Sequence, residues 1–273
     1  MAADPLQDVV THYQGADEDS RLRTGVFQLE FERTKQIILR YLSAPPAVVA
    51  DVGGGSGPYS FWLAAQGYDV HLIDPVPKHI EQATQAGKLQ PRRPLASAHI
   101  GDARKLEFAD ESVDGVLLLG PLYHLPEQED RMLCMREARR VLRPGGVVFG
   151  AAISRFASLL SAVHEGLLDR DDFASIVEQD LRDGKHYNDT GKPEYFTTAF
   201  FHRPWELAEE IKESGLKLLE MLPVEGPGWL AKDFDNVWAS TQQQQRLLAF
   251  VKLIEKEPEL LGASAHLLAI ARK

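Results

Sequence analysis

Apolar and polar positions along the chain fall into two rhythms. Short β-branched runs bounded by Gly, Pro or Asp alternate with longer stretches that are apolar every three or four residues. Ala47–Val52 reads as a buried strand, and Pro58 to Gln66 as a helix stopped by Gly67. Asp69–Ile73 is a second strand with Asp74 at its carboxyl end, followed by a helix from Pro77 to Gly87. Strand, helix, strand places the first two strands parallel and adjacent. Ala96–Ile100, Val113–Leu119 and Val147–Ile153 read as further strands. A helix from Leu29 to Leu42 is stopped by Pro45-Pro46, and Glu127–Leu142 turns Leu133, Ala138, Val141 and Leu142 inward. Its Arg136, Arg139 and Arg140, with Arg143 just beyond, lie among acids and read as a solvated face.

After Ile153 the rhythm changes. Residues 156–183 read as one or two helices, and Gly184–Glu194 is polar. An aromatic run, Tyr195 to Phe201, leads through His202-Arg203-Pro204 into a helix over Trp205–Ser214. Leu216–Leu222 and Ala265–Ala271 are the last two strands, with a mostly polar helix through Gln242–Gln245 between them. Residues 1–25 are polar, with Asp17-Glu18-Asp19 at their centre, and Lys88, Arg92 and Arg93 mark a basic surface loop.

The chemistry concentrates where the first strand breaks into Gly53-Gly54-Gly55-Ser56-Gly57. Glycine here lets a ligand approach the backbone, and the following helix offers free N–H groups. The dinucleotide pattern G-x-G-x-x-G needs glycine at position 58, where Pro58 stands. Asp51, two residues before the first glycine, would sit badly beside a pyrophosphate and well beside a positively charged ligand. Asp51 to Gly57 resembles the first motif of class I S-adenosylmethionine (SAM)-dependent methyltransferases, D-x-G-x-G-x-G. Gly101-Asp102-Ala103, Leu119 to His124 and Leu142-Arg143-Pro144-Gly145-Gly146 resemble later motifs of that family, in order.

The resemblance implies an α/β fold: a Rossmann-like, doubly wound, seven-stranded sheet closed by an antiparallel C-terminal hairpin. It implies a helical lid over residues 1–44, a SAM-binding core over 45–153, a cap insertion over 154–196, and the rest of the core over 197–273. SAM, giving S-adenosylhomocysteine, would be held by Tyr13 of the lid, by Asp51, Gly53, Gly55 and Gly57, and by Asp74, Asp102, Ala103 and Leu119. Asp74 is placed to accept the ribose hydroxyls, or else is a turn-forming Asp before Pro75. Asp102 would accept from the adenine amine, with Ala103 packed on the ring. Tyr123, His202 and Arg203 are candidate contacts to the methyl acceptor. His124 is the candidate general base. His124, His202 and Arg203 have an equally simple reading as groups that cap the following helices.

Composition narrows the partners. The 273 residues carry a net charge of −10, which disfavours nucleic acid. The N-terminus has no basic start or apolar run, and no stretch is long and apolar enough to span a bilayer. The single cysteine, Cys134, reads as a small helix hydrophobe. No metal-ligand cluster is evident. The expected protein is a cytoplasmic monomer or homodimer that methylates an O, N or C nucleophile of a small molecule. The alternatives are a protein methyltransferase, a non-catalytic SAM-binding protein and a nicotinamide-dependent oxidoreductase.

Overall fold

The structure is a computed structural model that describes residues 5–15, 18–90 and 93–273. Asp17 of the acidic run and Arg92 of the basic loop lie outside these residues. Five parallel strands form the body of the sheet: β1 (Val48–Val52), β2 (Asp69–Asp74), β3 (Ser97–Ile100), β4 (Val113–Leu118) and β5 (Leu142–Ser154). Their order is β3-β2-β1-β4-β5, so the chain reverses direction across the sheet between β1 and β4. Two more short strands were not expected: β6 (Lys185–His186) and β7 (Ala199–His202) extend the sheet beyond the end of β5. β8 (Lys217–Pro223) pairs antiparallel with β9 (His266–Arg272), which runs antiparallel along β5. Among the described residues the sheet therefore has nine strands; the expected seven are β1–β5, β8 and β9.

Side-chain alternation makes three layers. Val49, Leu117 and Phe149 pack on one face; Ala50, Val116 and Val148, each one residue away, pack on the other. The first face is covered by helix α3 (Phe27–Tyr41) and α4 (Pro58–Ala65). The second is covered by α7 (Gln128–Val141) and α10 (Pro204–Glu213). Leu133 of α7 is 43% exposed rather than inward. Met132, Cys134 and Met135 face the core with Ala138 and Val141, which sets the apolar stripe a little further round the helix. The Pro-Gly-Gly stretch is a bulge inside β5, where Val113 faces Leu142 and Gly115 faces Val147.

The N-terminal residues form α1 (Pro5–Gly15) and α2 (Glu18–Arg21). Helices α8 (Ala157–Glu165) and α9 (Asp171–Asp183) share a small core of their own, in which Ala162 meets Phe173, Ile176, Val177 and Tyr195.

Candidate functional site

A pocket opens at the carboxyl ends of β1, β2 and β4, where the strand order reverses. Its floor is the glycine loop. Gly53 has φ +70°, and a Cβ there would lie 2.8 Å from the Pro121 ring. At Gly54 a Cβ would fall 2.6 Å from the Asp51 carboxylate carbon and from Leu72. Only glycine lets the loop lie this close to its own strand. Gly57 takes φ +89° at the N-cap of α4. It shapes the turn at the start of α4 and does not itself line the pocket.

Asp51 lines the pocket yet is fully buried. Its Oδ2 accepts a hydrogen bond from Ser60 Oγ at 2.6 Å, and its Oδ1 has no partner among the described residues. Burial pushes its pKa up to about 6, against the opposing Ser60 hydrogen bond. Asp74 ends β2 and accepts from the Gly55 N–H at 2.8 Å and the Val76 N–H at 2.9 Å, while its Oδ1 also meets His79 Nδ1 at 2.9 Å. Three of roughly four acceptor sites on the carboxylate are thus in use. His79 brings a second buried, unpartnered atom, Nε2, to the pocket lining. Sequence reasoning missed His79; its one signal was its place on the first turn of α5 (Pro77–Leu89), five residues after Asp74.

Gly101, Asp102 and Ala103 line the pocket's far end. The Asp102 carboxylate is gripped by the Arg104 side chain at 2.7–3.1 Å. Leu119 and the short helix α6 (Pro121–His124) form the wall on the β4 side. Tyr13 reaches in from α1, its OH 2.9 Å from His124 Nε2 and its ring edge-on to His79. His124 Nδ1 is buried without a partner among the described residues. Burial drives the His124 pKa down to about 3, with the Thr198 backbone opposing, so the ring is neutral across the physiological range.

Tyr13, Asp51, Gly53, Gly55, Asp74, Asp102, Ala103, Leu119, Tyr123 and His124 therefore converge on one pocket. His202 and Arg203 do not line it. His202 is fully buried, its Nε2 3.2 Å from Glu210. The Arg203 N–H donates to Glu206 at the start of α10, and its guanidinium lies over Phe156. Both are tied into the packing of α10, which is the helix-capping reading of the two. The structure also gathers Glu30, Glu225 and His266, whose donor atoms lie within 4.8 Å of one another, a cluster not evident in the sequence.

A family model described as a methyltransferase domain matches residues 50–150. The methyltransferase GfsG of Streptomyces halstedii is 33% identical over 114 residues, covering 41% of this chain and 40% of that protein. The malonyl-[acyl-carrier protein] O-methyltransferase of Methylococcus capsulatus is 31% identical over 172 residues, 58% of this chain and 59% of that one. The alignments thus span about two fifths to three fifths of these relatives. Among solved structures, the 1,6-didemethyltoxoflavin-N1-methyltransferase of Burkholderia thailandensis superposes with a TM-score of 0.58 at 15% identity. That match covers 100% of this chain and 92% of the other, whose crystals hold 1,6-didemethyltoxoflavin and S-adenosylhomocysteine.

Proposed function

We propose that the chain is a class I SAM-dependent methyltransferase, on the match of a methyltransferase-domain model to residues 50–150, and that it methylates an O, N or C nucleophile of a small molecule. The observation that carries this reading is the convergence of ten of the expected site residues, eight of them in the motifs, on one pocket at the strand-order reversal.

SAM is the family's cofactor, and the pocket fits it on three counts. Asp51 Oδ1 is a buried acceptor without a partner, suited to an ammonium. His79 Nε2 is a second buried polar atom without one, beside the Asp74 carboxylate. The Gly54 backbone packs directly on Asp51 and Leu72, where a Cβ would not fit, so the bare backbone of Gly53 to Gly55 is the surface the loop offers a ligand. When bound, SAM supplies a methyl group already activated on a sulfonium. In this reading Asp51 holds the cationic end, Asp74 with His79 holds the ribose hydroxyls, and Asp102 with Ala103 holds the adenine. The protein's main contribution is alignment, worth up to about 7–11 kcal/mol at its upper range.

We read α1 as a lid and residues 154–196 as a cap. With Tyr13 hydrogen-bonded to His124, about 110 Å³ of the pocket remains open. Ligand pockets usually run to about 300 Å³ or more, so α1 has to swing aside for a nucleoside to enter. The reading keeps a cytoplasmic monomer or homodimer; no helix among the described residues is long and apolar enough to cross a membrane.

Calorimetric titration with SAM, S-adenosylhomocysteine and NAD in parallel tests the proposal. Binding of both sulfur nucleotides and not NAD is expected; silence toward them in folded protein would overturn it. Asp74→Ala should weaken SAM binding by about 1.5–3 kcal/mol, the range for a hydrogen bond to a charged group. Unchanged affinity would remove Asp74 from the ribose. His124→Ala should cut turnover by a factor on the order of 100 with SAM affinity held. Because the His124 pKa lies at about 3, the pH profile of turnover should show no limb from this residue above about pH 5. A wild-type rate would make His124 a latch for Tyr13 and nothing more.

A further inference from the structure

A second cavity, of about 250 Å³, lies beside the first. Phe27 at the start of α3, His164 and Glu165 of α8, and Glu225, Trp229 and His266 around the β8–β9 connection line it. β9 runs antiparallel to β5 with His266 opposite Ile153. The cavity therefore sits at the carboxyl edge of the sheet, the edge that carries the glycine loop. The two spaces share a wall. His266 Nδ1 is 4.0 Å from the carboxylate of Glu30, and its ring is 6.4 Å from that of Tyr123; Glu30 and Tyr123 both line the first pocket.

Glu225 is 2% exposed, and its charge is spent locally. Its Oε2 accepts from Ser264 Oγ at 2.7 Å and from the His266 N–H at 3.0 Å, and its Oε1 from His266 Nδ1 at 2.7 Å. Burial lowers the pKa of His266, but Glu225 and Glu30 outweigh it and hold the ring at about 9, with Arg21 opposing. The imidazole is charged at neutral pH, and Nδ1 is committed to Glu225. Nε2 has no hydrogen-bond partner among the described residues, so its N–H is the donor left to serve the cavity. The Trp229 indole is fixed by its Nε1–H bond to Ala263 O at 2.9 Å, and Phe27 faces the same space. His164 and Glu165 are exposed at the rim.

We propose that this cavity is the acceptor subsite and that His266, oriented by Glu225, holds the anionic oxygen of a small aromatic hydroxyl acceptor. The inference rests on the methyltransferase reading and narrows its acceptor to a phenol or enol. A charge-assisted hydrogen bond favours the oxyanion over the neutral hydroxyl. Aromatic walls favour a planar ring. The acceptor's proton goes to bulk water on binding, because His266 already carries its own; an acceptor held here leaves no proton for His124 to take, so a wild-type rate in His124→Ala accords with this subsite. Glu225 acts through His266 and is a positioning residue. The same charges explain the Glu30–Glu225–His266 cluster without a metal: the His266 proton lies against Glu225, and Arg21 pairs with Glu30 at 2.8 Å.

The test uses p-nitrophenol, whose phenolate absorbs visible light, at a pH about one unit below its own pKa, with and without saturating S-adenosylhomocysteine. Binding to the wild-type protein should raise the phenolate-to-phenol ratio about tenfold, a shift of one pKa unit. His266→Gln should abolish that rise and leave the affinity for S-adenosylhomocysteine within about twofold. Glu225→Gln should bind the probe with a smaller rise, and circular dichroism should show both variants folded. A rise that survives in His266→Gln, or none in the wild type, would overturn the proposal. A rise that EDTA removes would overturn it in favour of a cation on the same cluster. Failure of S-adenosylhomocysteine to bind would count against the methyltransferase reading, while the probe alone still tests His266.

Discussion

Asp51→Asn should flatten the pH dependence of SAM binding and weaken it by about 10–100-fold at pH 7, the loss of one hydrogen bond to a charged group. In the wild type the carboxylate is fully buried, with a pKa of about 6. A cationic ligand binds its ionised form. That form rises from about a tenth of molecules at pH 5 to about nine tenths at pH 7, so wild-type affinity should climb roughly tenfold across this window. Stability should move the other way. The folded pKa lies above the unfolded value of about 3.9, so the contribution of this group is fully present below pH ~4 and is lost as pH rises through 6. The loss is at most about 3 kcal/mol. The variant should therefore gain on the wild type, without ligand, as pH increases. Calorimetry at several pH values and urea unfolding check the two halves separately. A wild-type affinity flat from pH 5 to 7 would take Asp51 away from the cationic end.

Arg131→Met should cost about 3–5 kcal/mol of stability, the range for breaking a buried ion pair from one side. Arg131 is 2% exposed, and its guanidinium meets Glu210 at 2.7–3.1 Å and stacks on Phe200. It also donates to the carbonyls of Leu125 and Pro126, at 2.8 Å each, directly after Tyr123 and His124. Without it, Glu210 stays buried against His202, a ring that burial keeps from charging. At about 2–4 °C per kcal/mol for a chain of this size, the midpoint should fall by roughly 6–20 °C. Adding Glu210→Gln should recover part of the loss, because the stranded charge is gone. A single variant within about 1 kcal/mol of wild type would show that Glu210 finds another partner.

The glycine loop, Asp74 and the Leu119–His124 wall were legible because each is a local signal. A backbone that needs glycine, or an acid at a strand's end, is written in adjacent residues. Gly57 has two readings the sequence does not separate, since a left-handed N-cap and a ligand contact ask for the same amino acid. β7 was missed because all four of its residues are buried, which leaves no alternation to read. His202 and Arg203 looked chemical beside an aromatic run; only the fold shows that Glu210 and Glu206 take them up. Arg131 drew no reading from the sequence and is half of a buried ion pair whose partner lies 79 residues on. The Glu225–His266 pair spans 41 residues and meets Glu30 from the other end of the chain. Such clusters leave no periodicity behind them.

β9 is the last of the nine strands in chain order, yet it lies between β5 and β8. While the ribosome is still making it, β8 and the Val147–Ala152 stretch of β5 each present an open edge that no earlier strand among the described residues fills. His266, its first residue, is then also absent from the wall between the two cavities. The acceptor subsite proposed above cannot form until β9 has been made. A nascent chain stalled before β9 should expose sheet edges ready to pair with a neighbour, and chaperone demand should peak at that point rather than earlier.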